Sequence, residues 1–256
     1  MGALDNTHAL VTGGGTGIGA AIARALAAEG TAVTVVGRRK APLDEVAKSL
    51  PKATAVTADI TKEADCAAMV EAARKANGPL DIVIANAGMA DSAPLGKLTL
   101  YQWQNTIAVN LTGSFLTVRA ALADLTRPAD GKPRRIVFVA STAGLKGYPF
   151  VAAYCAAKHG VVGLARSLAI ELAAKGVTVN AVCPGYTDTP LLDAAVGKIT
   201  ATSGRAAGDA RAALARDNAH GRLLTPDEVA GQVLRLCLPQ AEKTTGEAIA
   251  ITGEAA

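Results

Sequence analysis

Tyr154 and Lys158 stand four residues apart in the run YCAAK, a spacing that puts both side chains on one face of a helix. An ammonium beside a phenol favours the phenolate and lowers the tyrosine pKa toward neutrality, which makes a usable proton donor and acceptor. Ser141 closes the apolar run RIVFVA. At a strand end, where ligands gather in open sheets, its hydroxyl could hold a carbonyl oxygen next to the phenol. Together these groups suit proton exchange with a bound oxygen. A Tyr and Lys pair at this spacing is also common in purely structural helices, so it gains weight only in company.

A second constellation is a phosphate-binding turn. TGGGTGIG, Thr12 to Gly19, follows a strand-like run and opens a helical one. Glycines there let the backbone turn tightly and approach a pyrophosphate, while free N–H groups and the helix dipole stabilise its charge. Gly13, Gly15, Thr16, Gly17, Ile18 and Gly19 are the candidate contacts. The next strand-like run ends at Val36 and leads into Gly37, Arg38 and Arg39. An acid at this point would accept hydrogen bonds from an adenosine ribose 2′-hydroxyl and repel a 2′-phosphate. Gly37 offers no carboxylate, and two guanidiniums offer charge-assisted bonds to phosphate. Arg38 could also stack on adenine. The expected cofactor is NADP (NADPH) in preference to NAD.

The elements that must position these groups alternate along the chain. Strand-like runs fall at 8–12, 32–36, 53–58, 81–85, 135–140, 177–182 and 247–252. Most are continuously apolar, as in strands covered on both faces. Ala-rich helical stretches lie between them, several ending in Gly just past the expected C-terminus. This alternation predicts a single α/β domain over 1–256, a doubly wound, seven-stranded parallel sheet with helices on both faces. Residues 186–224 are longer and more polar than a connector and follow a strand's C-terminal end, so they are expected to form a substrate-binding lid.

Composition narrows the class. Half of the 256 residues are apolar and only 3% aromatic, so the core must be built from Ala, Val, Leu and Ile. A net charge of +4, without blocks of like charge, argues against nucleic-acid or membrane-surface binding. No secretory signal pattern opens the chain and no uninterrupted apolar run is expected to span a bilayer, which predicts a cytoplasmic location. Asn6 stands where N-myristoylation wants Ser or Thr. Cys66, Cys155, Cys183 and Cys237 share no C-x-x-C spacing and are expected as buried free thiols. The three histidines are too dispersed for a zinc site, and no metal is expected.

Read in order, these motifs resemble the short-chain dehydrogenase/reductase family over nearly the whole chain. The glycine motif of the family is matched by Thr12, Gly13, Gly17 and Gly19, and its acid after the third strand by Asp59, followed by Ile60. Its NNAG element reads ANAG, keeping Asn86, Ala87 and Gly88 but with Ala85 for the first Asn. Its catalytic tetrad is matched by Asn110, Ser141, Tyr154 and Lys158. Its PG turn is matched by Pro184 and Gly185, followed by Tyr186, Thr187, Asp188 and Thr189. The C-terminal AITGEAA departs from the Asp-Gly-Gly ending of many relatives, which weakens any inherited detail of assembly.

The resemblance implies a Rossmann fold and a carbonyl reduction in which Tyr154 protonates the substrate oxygen as hydride arrives from the nicotinamide. Ser141 would orient that oxygen. Lys158 would hold the nicotinamide ribose and depress the tyrosine pKa, and Asn110 would position a water that relays protons to Lys158. Thr187 and the turn before it would anchor the nicotinamide end. Tyr148 and Tyr186 are candidate substrate contacts; His159 points about 100° away from Lys158 and is given no role. Trp103 is expected as a packing anchor.

A ketone is the expected substrate, with a 3-oxoacyl thioester first, because VCPGYTDTP and the lid resemble ketoacyl and polyketide reductases. Five basic and two acidic residues between Lys198 and Arg222 could meet coenzyme A phosphates or an acidic carrier protein, or form a solvated face. One competing reading is an alcohol or 3-hydroxyacyl dehydrogenase working oxidatively, with NAD or NADP. Another is an NADP-binding sensor without turnover. A homotetramer is implied by the resemblance, with contacts through 99–125 and 151–174.

Overall fold

The structure, a computed structural model, describes residues 2–253. The apolar runs form β1 (His8–Thr12), β2 (Ala32–Gly37), β3 (Ala53–Thr57), β4 (Ile82–Ala85), β5 (Arg134–Val139), β6 (Val177–Pro184) and β7 (Ala248–Ile251). All pair in parallel, in the order β3-β2-β1-β4-β5-β6-β7. Between them run α1 (Gly17–Ala28), α2 (Lys40–Lys48), α3 (Glu63–Asn77), α4 (Leu100–Ile107), α5 (Gly113–Leu125), α6 (Ala152–Leu172), α7 (Pro190–Ser203), α8 (Ala207–Ala215) and α9 (Pro226–Cys237). This is the doubly wound Rossmann sheet the alternation predicts.

Continuous apolarity has a direct cause. Successive residues of a strand point to opposite faces, and both faces are covered. Leu10, Val83 and Ile136 pack with Met69, Leu116 and Val161 on one side. Their chain neighbours Val11, Ile84 and Val137 pack with Ile22, Leu26 and Val233 on the other. Strand order reverses between β1 and β4, which opens a crevice at their carboxyl ends.

At the opposite, amino-terminal end of the strands, the fully buried Asp81 just before the central β4 joins elements together. Its carboxylate accepts from His8 N at 2.9 Å, Arg127 Nη2 at 2.5 Å and Arg134 Nη1 at 3.0 Å. Asp81, expected inside a strand, instead precedes β4 and serves this cluster.

Three expectations change. Leu100–Leu125 runs as one helical stretch, long and apolar enough to cross a membrane by length and composition. It nevertheless buries the polar side chains of Thr106, Asn110, Ser114, Thr117 and Asp124, the last paired with Arg74 at 2.9 Å. That pattern belongs to a helix packed on a sheet. Trp103 is 39% exposed and does not anchor the core. Cys66, Cys183 and Cys237 are buried free thiols, but Cys155 is only half-buried. No group of three or more His, Cys, Asp or Glu side chains able to hold a metal occurs among the described residues.

Candidate active site

The glycine turn sits at the strand-order reversal. Gly13 and Gly17 take φ values of +66° and +54°, a left-handed conformation that side chains other than glycine rarely tolerate. A Cβ on Gly19 would stand 2.2 Å from the Gly13 carbonyl oxygen, so the helix could not approach the turn this closely. No acid stands in the first turn of α1, and its leading N–H groups are left for an anion. Thr12 locks the turn to the segment after β4: its Oγ1 accepts from Asn86 N at 3.0 Å and Ala87 N at 3.1 Å. Asn86 Nδ2 returns a bond to Thr12 O at 2.8 Å. Ala85, the departure from NNAG, fills the apolar core and leaves this lock intact.

Two joined cavities follow. The smaller, about 190 Å³, is lined by Gly13, Gly15, Thr16, Gly37, Arg38, Arg39, Asp59, Ile60, Ala87 and Gly88. Asp59 accepts from Thr61 Oγ1 at 2.8 Å and Thr61 N at 3.0 Å, and these bonds hold its carboxyl below the usual range. Arg38 and Arg39 are exposed and form no ion pair among the described residues. The larger cavity, about 530 Å³, shares Gly13, Thr16, Ala87 and Gly88 with the first. It continues past Gly17, Ile18, Gly19, Asn86, Pro184, Gly185, Thr187 and Thr189 to Ser141, Tyr148, Tyr154, Lys158 and Tyr186. Such a size suits a small ligand. The chemistry of the smaller cavity, a glycine cradle and two free guanidiniums without a carboxylate at Gly37, fits a dinucleotide carrying a 2′-phosphate.

Ser141 leaves β5 with its hydroxyl against Ala143 N at 3.2 Å and Pro184 O at 3.4 Å. Tyr154 lies in the first turn of α6, with Lys158 one turn on. Lys158 is 4% exposed, donates to Val139 O at 2.8 Å, and sets its Nζ 5.6 Å from the Tyr154 ring centroid. Burial pushes Lys158 down to about 8. Burial likewise pushes Tyr154 up to about 12, against an opposing pull from the Ser141 hydroxyl. The expected acidification of the phenol is therefore corrected: desolvation outweighs the Ser141 bond, and Tyr154 keeps its proton at neutral pH.

Asn110 lines neither cavity. It lies in a π-helical turn between α4 and α5, and its side chain bonds Met89 N at 3.2 Å, Met89 O at 2.8 Å and Thr106 O at 2.9 Å. Its visible work is to pin the segment after β4. A Cβ on Gly88 would lie 2.8 Å from Asn110 Oδ1 and 3.7 Å from Lys158 Nζ, so the segment it pins borders the lysine.

Residues 186–224 carry α7 and α8. Tyr148 and Tyr186 meet edge to face at 6.2 Å between centroids, and Tyr148 shares a 2.8 Å hydrogen bond with Thr142. Three of the five lid cations are neutralised: Lys198 by Asp91, Arg211 by Asp188 and Asp193, Arg222 by Glu228. The basic segment is thus largely internal pairing. Sequence reasoning missed Asp91, Phe150 and Asn218, and counted Lys198 and Asp217 only among the charges of the lid. Asn218 bonds both backbone groups of Tyr186, at 2.9 and 2.8 Å, and closes the lid base. These residues belong to no motif, and only the fold brings them together.

A Rossmann sheet with a glycine turn, a buried lysine and a tyrosine on one cleft defines a nucleotide-dependent oxidoreductase. The chain belongs to the short chain dehydrogenase family, whose pattern matches residues 7–199. It acts on hydroxyl or carbonyl groups with a nicotinamide cofactor. It is 40% identical over 250 residues to cis-4-hydroxycyclohexanecarboxylate dehydrogenase of Sinomonas cyclohexanicum, covering 96% of this chain and 94% of that protein. It is 35% identical over 253 residues to D-beta-hydroxybutyrate dehydrogenase of Rhizobium meliloti, covering 96% of each. A crystal structure of an actinorhodin polyketide ketoreductase variant with NADPH superposes with a TM-score of 0.92 at 35% identity, over 99% of this chain and 98% of the other.

Proposed function

We propose that this protein is an NADPH-dependent reductase that converts a ketone, a 3-oxoacyl thioester foremost, to a secondary alcohol. The observation that carries the reading is that Ser141, Tyr154 and Lys158 together line one cleft continuous with the glycine turn. A phenol that holds its proton can donate it to the substrate oxygen in the reductive direction.

The glycine turn would hold the pyrophosphate, Arg38 and Arg39 the 2′-phosphate, and Asp59 and Ile60 the adenine side. Asn86, Ala87 and Gly88 would line the middle of the cofactor, with Lys158 at the nicotinamide ribose and Pro184, Gly185, Thr187 and Thr189 at its ring. The nicotinamide, when bound, supplies the hydride. Ser141 and Tyr154 orient the substrate oxygen, and Tyr154 Oη gives it a proton as negative charge develops. Lys158 stabilises the phenolate left behind, and its own proton can refill it. Asn110 acts as a positioning residue through the segment it pins. The mostly apolar lining near Tyr148 and Tyr186 excludes water.

A homotetramer in the cytoplasm is part of this reading. Exposed Leu100, Tyr101 and Trp103 on α4, Phe115 on α5 and Ile170 on α6 support contacts through those helices.

The test is a panel of ketones and alcohols run in both directions with both cofactors. NADPH oxidation with 3-oxoacyl thioesters is the expected result. Tyr154→Phe should cut turnover by about 10²–10⁴-fold while NADPH still binds; unchanged turnover would end the mechanism. NADPH binding without reduction of any ketone would point to a sensor.

A further inference from the structure

We propose that Asp91 sets substrate specificity: by holding the Lys198 ammonium it masks a cation of the cleft, so that an uncharged ketone is accepted and one bearing a carboxylate is disfavoured. The inference rests on reduction of a ketone in this cleft.

Asp91 and Lys198 are 107 residues apart in sequence and stand on opposite walls, Asp91 in the segment after β4 and Lys198 on α7 of the lid. They form an ion pair, with Asp91 the better buried partner at 25% side-chain exposure against 40%. Asp91 is the fixed half. It also accepts from Gln102 Nε2 at 2.9 Å and Ser92 N at 2.9 Å. Gln102 is itself locked by the Thr99 capping box that starts α4. The other paired lid cations, Arg211 and Arg222, are held by carboxylates away from the cleft wall.

Among the described residues lining the cleft, the only cationic side chains are Lys158 and Lys198, and the only anionic ones are Asp91 and Asp217. Lys158 lies on the floor with its Nζ bound to Val139 O. With Lys198 occupied, a substrate carboxylate would meet Asp217 and the far oxygen of Asp91, and no free ammonium. Around this pair the wall is mostly apolar, with Phe150, Leu191, Leu192, Ile199 and Leu214, and its other polar groups are neutral, chiefly hydroxyls. An anion moved there loses water without a partner in return, whereas a neutral acyl chain gains by burial. Removing the Asp91 charge while keeping its shape would release Lys198 for a charge-assisted bond to a substrate carboxylate.

The probes are 4-oxopentanoate and its methyl ester, which differ in charge at one end. Affinities are measured calorimetrically with NADP⁺ bound, a cofactor form that gives no hydride, and turnover is measured separately with NADPH. Wild type should favour the ester. Asp91→Asn, which keeps an acceptor for Gln102, should shift the acid-to-ester affinity ratio toward the acid by about tenfold. Lys198→Met, which leaves Asp91 bare, should shift it the other way, and the double variant should lose the gain of Asp91→Asn. An unmoved ratio in Asp91→Asn, or an equal gain in the double variant, overturns the inference. A ratio that moves as expected while no ketone of the panel above is reduced upholds it and rejects the reductase reading alone; turnover of the ester with an unmoved ratio does the reverse.

Discussion

Lys158 makes the stability of this protein depend on pH in a way opposite to that of a lysine that gains a carboxylate partner. Burial lowers its pKa from 10.5 to about 8, so the unfolded chain holds this proton more tightly than the folded one. Stability rises with pH wherever the unfolded state binds more protons. For this group the rise begins as pH passes about 8 and ends near 10.5, the folded and unfolded values. At about 1.36 kcal/mol per pKa unit the whole shift amounts to about 3 kcal/mol. Of this, about 2 kcal/mol accrues between pH 8 and 10. The assay is denaturant unfolding of wild type and Lys158→Met across that range. Tyr154, whose raised pKa costs stability only at higher pH, is present in both and largely cancels in the difference. The stability of wild type relative to the variant should climb by about 2 kcal/mol, or about 4–8 °C in Tm for a chain of this size. A difference that stays flat would mean that the ammonium is solvated in the folded protein, and the desolvation argument would fail.

Other outcomes follow from the same contacts. Arg38→Ala should weaken NADPH by about 1.5–3 kcal/mol, a charge-assisted bond's worth, and NADH far less; equal losses measured by titration would overturn the cofactor preference. Thr12→Val removes the oxygen that accepts from Asn86 N and Ala87 N. Asn86 N keeps the Ile84 carbonyl at 3.1 Å, so the cost should be about 1–3 kcal/mol for the orphaned Ala87 N–H, read by denaturation, with a small change instead meaning that water reaches the lock. Asp81→Ala removes the buried carboxylate shared by His8 N, Arg127 and Arg134 before β4, while both guanidiniums keep Asp130. A loss of about 1–3 kcal/mol in unfolding free energy is expected, and a neutral result would show that the cluster is solvated.

What was legible in the sequence and what was not divide along a physical line. Strands β1 to β7 were readable because burial on both faces demands unbroken apolar runs, and the glycine turn because close backbone approach excludes side chains. Arg38 and Arg39 were readable from one missing carboxylate beside them. All of these are local signals. Asp91 and Lys198 carry no local signal, because their meeting depends on a lid folding back over a segment 107 residues away. The sign of the Tyr154 shift was hidden for a related reason. Spacing along α6 fixes that an ammonium lies near the phenol, but not how much water either group loses. That loss is set by β5, β6 and the lid closing around both, and it moves the two groups in opposite directions, each toward its uncharged form. Neighbouring charges read from a helix face give the attraction alone; at a cleft floor the solvation they give up can be the larger quantity. Here it leaves a phenol holding its proton above an amine close to releasing one.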